Sequence, residues 1–326
     1  MMAKTRLGFD IGSSSMKVAV RQGGALRLEE VPLPENLVDS GGIALPHAFV
    51  QFLRQVKKDL KLPRGAAALV LPPNQVICRM VTMPRMTTEQ LFMNLPYEFT
   101  DFIQGVADQY YCDYALCEPA GEEEEEGLTM MAAAAAKQTL AEYARIFSQA
   151  GLRLRTVLPQ EMALIRLVQG HGGETEEFCF VDLGHQNTRI TVVWRDRVQA
   201  TRQIALGGRN LDLAVADELG VDAFLSNTYK TTNFQNVQTL PAVAEVCERI
   251  AVEILKVVNF YQFTYRSSNL EGIYLVGGGT ALPQLRQAIE AAVGLPLLDA
   301  GALLPGAEGD TAAGVFAAGA AMGGTR

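Results

Sequence analysis

The sequence predicts a two-lobed α/β protein on three observations: one hairpin pattern occurs twice, strands alternate with helices through both halves, and the chain is too long for one core. At 326 residues it exceeds the size at which a single hydrophobic core stops growing, so two or three packed units are expected. The repeated pattern is the most specific of the three. Aligning Asp10 with Asp182 sets Gly12 on Gly184, Lys17 on Arg189 and Val18 on Ile190 at a constant offset of 172 (182 minus 10). Each copy reads as an apolar strand, a tight turn and a second strand with apolar residues at alternate positions, which is a β-hairpin. Two copies this far apart predict two homologous lobes.

Taken in order, the segment after the first hairpin has helical spacing from Leu45 to Leu60 at Phe49, Leu53, Val56 and Leu60, and Ala66–Leu71 is a short apolar strand closed by Pro72 and Pro73. The texture then changes. Gln75–Met83 reads as a strand, Thr87–Asp101 as a helix, and Tyr110–Cys117 and Leu128–Ala136 as strands, although the alanine run Ala132–Ala136 also suits a helix. The unbroken acidic run Glu122–Glu126 between the last two reads as a solvated hairpin tip. Lys137–Ala150 is a helix ended by Gly151. Past the second hairpin, helices are expected at Leu211–Leu219, Ala223–Tyr229 and Leu240–Arg266. A buried strand, Ile273–Val276, leads into Gly277, Gly278 and Gly279, and Pro283 fits the first turn of the following helix.

Composition excludes several classes. The net charge of -8 gives no overall positive field to attract a phosphate backbone, so no nucleic-acid partner is expected. No stretch reaches the roughly 20 apolar residues that span a bilayer, and the opening residues run almost directly into a strand, so the chain is expected to be neither exported nor membrane-spanning. Five scattered cysteines read as reduced cytosolic thiols, and three dispersed histidines offer no transition-metal cluster.

The chemistry lies in the turns. Asp10, Gly12, Ser13, Ser14 and Ser15 supply an acidic residue, hydroxyls and open backbone amides where a strand doubles back, which is how a loop wraps phosphate oxygens, with Lys17 available to neutralise charge. Asp182, Gly184, Asn187 and Thr188 repeat that layout. Two lobes presenting such turns clamp one triphosphate from both sides, with a magnesium ion held by Asp10 and Asp182 through its waters. Gly277, Gly278 and Gly279 allow close backbone approach to a flat ligand such as a purine or ribose; their other reading is a tight strand-to-helix turn.

These elements, in this order, resemble the sugar kinase/Hsp70/actin superfamily, whose lobes are ribonuclease H-like. Pro159–Ile165 resembles its first connecting helix and Thr311–Ala320 its second, with small residues on both that suit a close crossing. Within the superfamily the wording is similar to the PilM family of type IV pilus assembly proteins, relatives of the cell-division protein FtsA. The resemblance rests on Asp10–Lys17, the six-residue step from Asp182 to Thr188, Val81–Leu91, Tyr97–Phe99 with Cys112–Tyr114, and Ala150–Leu152. It covers nearly the whole chain. It implies an actin/Hsp70-like fold with lobe I over residues 1–73, a small inserted α+β domain of the PilM/FtsA type over 74–155, a connecting helix over 156–176, lobe II over 177–305, and a C-terminal connecting helix over 306–326.

The same resemblance implies a cytoplasmic ATP-binding scaffold at the inner face of the cell membrane, serving a type IV pilus or a related competence or secretion machine. Its cofactors would be ATP and magnesium. Its partner would be a PilN-like inner-membrane protein whose cytosolic tail docks on the insert, so membrane contact is indirect; self-association is a further expectation. Glu161 matches the glutamate near the attacking water in the superfamily, its other reading being an exposed residue at a helix start. Asn227 and Lys230 fall in the helix that approaches the ribose. Two departures stand out: Asn227 occupies a position where PilM-like chains carry glutamate, and His185-Gln186-Asn187 is bulkier than usual for the second turn. Both point to at most slow hydrolysis or weakened binding. Of the other functions in the superfamily, an FtsA/actin-like filament fits the same fold, and a small-molecule kinase needs a base beside an acceptor pocket for which no residue stands out.

Overall fold

The structure, a computed structural model, describes residues 5–39, 42–118, 127–169, 171, 177–265 and 268–323. The alternating apolar residues of the first hairpin form β1 (Arg6–Ile11) and β2 (Ser15–Gln22), paired antiparallel with Asp10 opposite Lys17, and β3 (Ala25–Pro32) continues the meander. Two short strands, β4 (Val38–Asp39) and β5 (Gly42–Ile43), precede helix α1 (Pro46–Asp59). Pro46 opens this helix where its missing amide would have no partner anyway, and Phe49, Val50, Leu53 and Val56 bury its apolar stripe. Strand β6 (Ala66–Leu71) then returns parallel to β1.

A separate three-stranded sheet follows, with β7 (Val76–Pro84), helix α2 (Thr88–Asn94), β8 (Tyr110–Leu116) and β9 (Gly127–Ala136), in the order β7-β9-β8. The alanine run is strand, because β9 is the centre of the sheet and is hydrogen-bonded on both sides. That pairing outweighs helix propensity. Its residues divide with period two: Ala132 and Ala134 face a local core with Leu91, Leu95 and Phe99, whereas Ala133 and Ala135 face the core of the first lobe. The expected helix from Thr87 to Asp101 is shorter. Thr87 and Gln90 form a reciprocal cap at its start, but Pro96 cannot continue the ladder and the chain tightens into a 3-10 turn over Leu95–Phe99. The acidic run Glu122–Glu126 lies outside the described residues.

Helix α3 (Lys137–Gln149), strand β10 (Arg153–Pro159) and helix α4 (Gln160–Val168) complete the first half. The second half opens with β11 (Glu177–Leu183), β12 (Thr188–Trp194) and β13 (Arg197–Ile204), again an antiparallel meander, with Asp182 opposite Arg189. Helices α5 (Gly208–Leu219), α6 (Ala223–Thr232) and α7 (Pro241–Thr264) precede β14 (Ile273–Val276) and α8 (Pro283–Val293). Arg266, the expected end of α7, is not among the described residues. Short strands β15 (Leu297–Leu298) and β16 (Ala307–Glu308) lead to α9 (Val315–Met322), the second connecting helix, with Thr311–Gly314 as a turn before it.

Two sheets result, in the orders β10-β6-β1-β2-β3-β16 and β13-β12-β11-β14-β15. Around β1 and β11 the orders match, and the offset of 172 carries beyond the hairpin to the third strand, Ala25–Pro32 on Arg197–Ile204. Helices α4 and α9 cross between the sheets so closely that a methyl group on Gly319 would overlap the carbonyl of Ala163. The three-stranded sheet also touches the second lobe: the Glu118 amide donates to the Asp196 carboxylate at 2.7 Å and the Arg197 guanidinium donates to the Glu118 carbonyl. Among the described residues no helix is long and apolar enough to cross a membrane.

Candidate functional site

Both hairpin turns close in the same way. The Gly12 amide donates to the Ser15 carbonyl at 3.0 Å, and the Gly184 amide to the Asn187 carbonyl at 3.1 Å. Each turn therefore spans the same four positions, and each puts an aspartate two residues before its glycine. In the first turn Ser13 is half-buried and Ser14 exposed. Ser15 is buried and engaged: its hydroxyl donates to Glu30 at 2.6 Å and accepts from Lys17 at 2.8 Å. In the second turn the buried Thr188 hydroxyl donates to the Leu206 carbonyl at 2.9 Å, bracing the turn from behind. The turn also rests on the start of α5, where Gly208 and Arg209 donate their amides to Gly184 and His185.

Asp10 and Asp182, each at the end of a central strand of its lobe, lie within electrostatic reach of one another. Burial, together with the nearby charge of Asp10, pushes the Asp182 carboxyl up to about 7 against the opposing pull of Lys17 and Arg189. Burial likewise raises Asp10, with Lys17 acting the other way. Two desolvated carboxylates that repel each other are stabilised by a cation between them. Among the described residues no group of three or more His, Cys, Asp or Glu side chains could hold a metal. An all-oxygen pair beside open turns nevertheless fits magnesium, which takes one or two carboxylates and fills its shell with water and phosphate oxygens.

Glu161 is buried at the start of α4, not exposed, and Arg189 donates to it at 2.5 Å. Arg189 thus reaches from the second hairpin to the first connecting helix. Its Nε is buried with no partner among the described residues.

The glycine triplet lies directly on the second turn. Gly277 has φ of +86° and its amide donates to the Ala312 carbonyl at 3.0 Å. A side chain there would be strained and would collide with the Asp182 carboxylate. Gly279 abuts Leu183, whereas the space over Gly278 is open. Asn227 is half-buried on α6, and Lys230 is fully engaged, at 2.7 Å from Asp212 and 3.3 Å from the Gly208 carbonyl. The Lys230 ammonium therefore braces the second turn from within its lobe. Burial lowers the pKa of His185, with Asp212, 3.5 Å from its Nδ1, pulling the other way. Sequence reasoning missed Asp212; the available signal was an acidic residue between Leu211 and Leu213 on an apolar helix, next to Gly207-Gly208.

Two sheets of matched order, a close pair of small-residue helices and an aspartate before the same turn in each lobe define a protein of the actin-like ATPase fold. The family model of the type IV pilus assembly protein PilM matches residues 8–299, and the chain belongs to that family. Its structure is similar to the PilM-PilN type IV pilus biogenesis complex, with a TM-score of 0.83 and 21% identity over 97% of each chain. It is also similar to the ethanolamine utilization protein EutJ from Carboxydothermus hydrogenoformans, with a TM-score of 0.60 and 17% identity over 99% of this chain and 91% of that one. MreB 5 of Spiroplasma citri bound to AMPPNP gives a TM-score of 0.52 at 10% identity, over 96% of this chain and 94% of that one. A search of curated protein sequences found no match.

Proposed function

We propose that this PilM-family protein is a cytoplasmic scaffold of a pilus machine that binds Mg-ATP between its lobes and docks the cytosolic tail of a PilN-like inner-membrane protein. The observation that carries the reading is the duplicated turn, closed by the same hydrogen bond in both lobes and preceded in each by an aspartate, the two lying within electrostatic reach of one another. The amides and hydroxyls of Ser13 and Ser14 and the amides of Asn187 would hold the phosphates, with Gly12 and Gly184, whose own amides close the turns, leaving room for close approach. The two aspartates would hold the magnesium, and Gly277–Gly279 with Asn227 the nucleoside. The fold likeness to a nucleotide-bound MreB 5 supports this. Bound magnesium supplies charge neutralisation to the triphosphate. Glu161 would orient the attacking water, but Arg189 engages one of its oxygens and weakens it as a base, so turnover should stay below about 1 per second, the lower edge of ordinary enzymes.

Residues 74–155 would serve as the docking domain, carried by lobe I (1–73 with residues 156–176, which include the end of β10 and helix α4), with lobe II over 177–305 and residues 306–326 returning to lobe I. Phe92, Met93, Tyr97, Phe102 and Tyr111 leave large apolar groups exposed there, more than a solvated face needs and suited to an extended or helical peptide. The likeness to a PilM-PilN complex supports that partner. Calorimetry with Mg-ATP, then with a PilN-like tail peptide, with and without nucleotide, tests both parts. No heat with Mg-ATP removes the first; a peptide affinity unchanged in Tyr97→Asp and Phe102→Asp removes the second.

A further inference from the structure

Arg6 and Arg21 meet at the end of lobe I away from the cleft, and Arg166 lies within electrostatic reach of Arg6. Arg6 opens β1 and Arg21 lies directly opposite it on β2. Both donate to the Met322 carbonyl at the end of α9, at 2.6 and 3.0 Å, so their tips can be no farther apart than those two bonds laid end to end. Arg166 approaches from α4. Ala163, one turn before it, abuts Gly319, one turn before Met322. Burial holds the Arg166 guanidinium below its ordinary value, and the charge of Arg6 adds to the effect. Its Nε and Nη1 are buried and donate to nothing among the described residues. None of the ion pairs of the described residues involves any of the three arginines.

Like charges opposite each other on a strand pair are destabilising, and a half-buried cation with no counter-charge among the described residues adds to that cost. The C-terminal end of α9 contributes about half a negative charge, which offsets only part of the charge of Arg6 and Arg21, and among the described residues no carboxylate pairs with the third guanidinium. This occurs in a chain with a net charge of -8, where carboxylates outnumber cations 36 to 28. A planar guanidinium fork matches the oxygens of phosphate. We propose that Arg6, Arg21 and Arg166 form a binding site for a phosphate-type oxyanion, free or carried on a phospholipid headgroup, where the two connecting helices end. The site is separate from the cleft, because β1 runs about 13 Å from Arg6 to Asp10 at about 3.3 Å per residue.

The test is titration of the whole chain with inorganic phosphate, followed by calorimetry and thermal unfolding against chloride at equal ionic strength. Saturable binding and a rise in Tm are expected, with affinity at least tenfold weaker in Arg166→Gln, intermediate in Arg166→Lys, and Mg-ATP affinity unchanged in both. Without phosphate, Arg166→Gln should be as stable as the parent or more so, since it removes a charge that has no counter-charge among the described residues. The proposal is overturned if phosphate does no more than chloride, if Arg166→Gln responds like the parent, or if phosphate binding is lost in Asp10→Ala instead, which would assign it to the cleft. A large loss of stability in phosphate-free Arg166→Gln would also overturn it, by revealing a counter-charge within the chain. Flotation with phosphatidylglycerol against phosphatidylcholine vesicles separates the sources. Binding that Arg166→Gln abolishes assigns the headgroup, and phosphate binding without flotation assigns the free ion.

Discussion

The two hairpins share sequence pattern, register and turn hydrogen bond, yet they use their cation differently. Lys17 is held within its own lobe, by Ser15 at 2.8 Å and Glu30 at 3.5 Å. Arg189, at the equivalent position, leaves its lobe to meet Glu161. A duplicated framework has thus kept its geometry while one copy gained a tie to the connecting helix. The longer, forked side chain makes that reach possible, and the two cations should fail differently when removed.

The largest effect is expected from Arg189→Met, which strands a buried carboxylate. About 3–5 kcal/mol of stability should be lost, measured by urea unfolding, and the double variant with Glu161→Met should recover much of it. If the single and double variants unfold alike, the tie contributes nothing. Next come the aspartates. Either Asp10→Ala or Asp182→Ala should weaken Mg-ATP binding about a hundredfold, equivalent to about 2.7 kcal/mol, with the fold intact by circular dichroism. Unequal losses would show that the hairpins do not share the metal evenly.

A smaller effect is expected from pH. Asp182 must be charged to meet magnesium, so Mg-ATP affinity should fall below pH about 7, by at most about tenfold per unit. The sign for stability is opposite. A carboxyl raised from 3.8 to about 7 binds its proton more tightly when folded, so its contribution is complete below the unfolded value and is lost as pH climbs through that window. Asp182→Asn should flatten both profiles; a profile as steep as the parent's would point to another group. The smallest effect is expected from Lys17→Met. Its partner Glu30 is 39% exposed, and screening should hold the loss to about 1 kcal/mol or less.

Much of the fold was legible because the relevant signals are local. Period-two apolar residues define both hairpins, and Thr87, Gly151 and Pro283 mark helix ends. The repeat of Asp10 and Asp182 at one offset predicted two lobes, and extending that offset to Ala25 and Arg197 would have located the third strands as well. Pro96 was a visible breaker that the helical spacing of Leu91, Leu95 and Phe99 masked. The pairings Glu161–Arg189 and Lys230–Asp212 were not legible, since spacing along a chain does not encode which distant charge a side chain will meet. Hence Lys230 reads from sequence as a cation offered to a ligand, while the fold neutralises it with a residue 18 positions earlier.

The small bridge at Glu118, Asp196 and Arg197 makes the molecule a closed mechanical circuit. Lobe I carries the three-stranded sheet, that sheet grips the second lobe through hydrogen bonds from Cys117 and Glu118 to Asp196 and from Arg197 to Glu118, and the connecting helices complete the ring. In an open chain of parts, one lobe can swing while an appendage rides along unaffected. In a ring, any rotation that widens the cleft must stretch the bridge or tilt the sheet, so whatever rests on that sheet experiences the angle between the lobes as a change in the shape of its own seat.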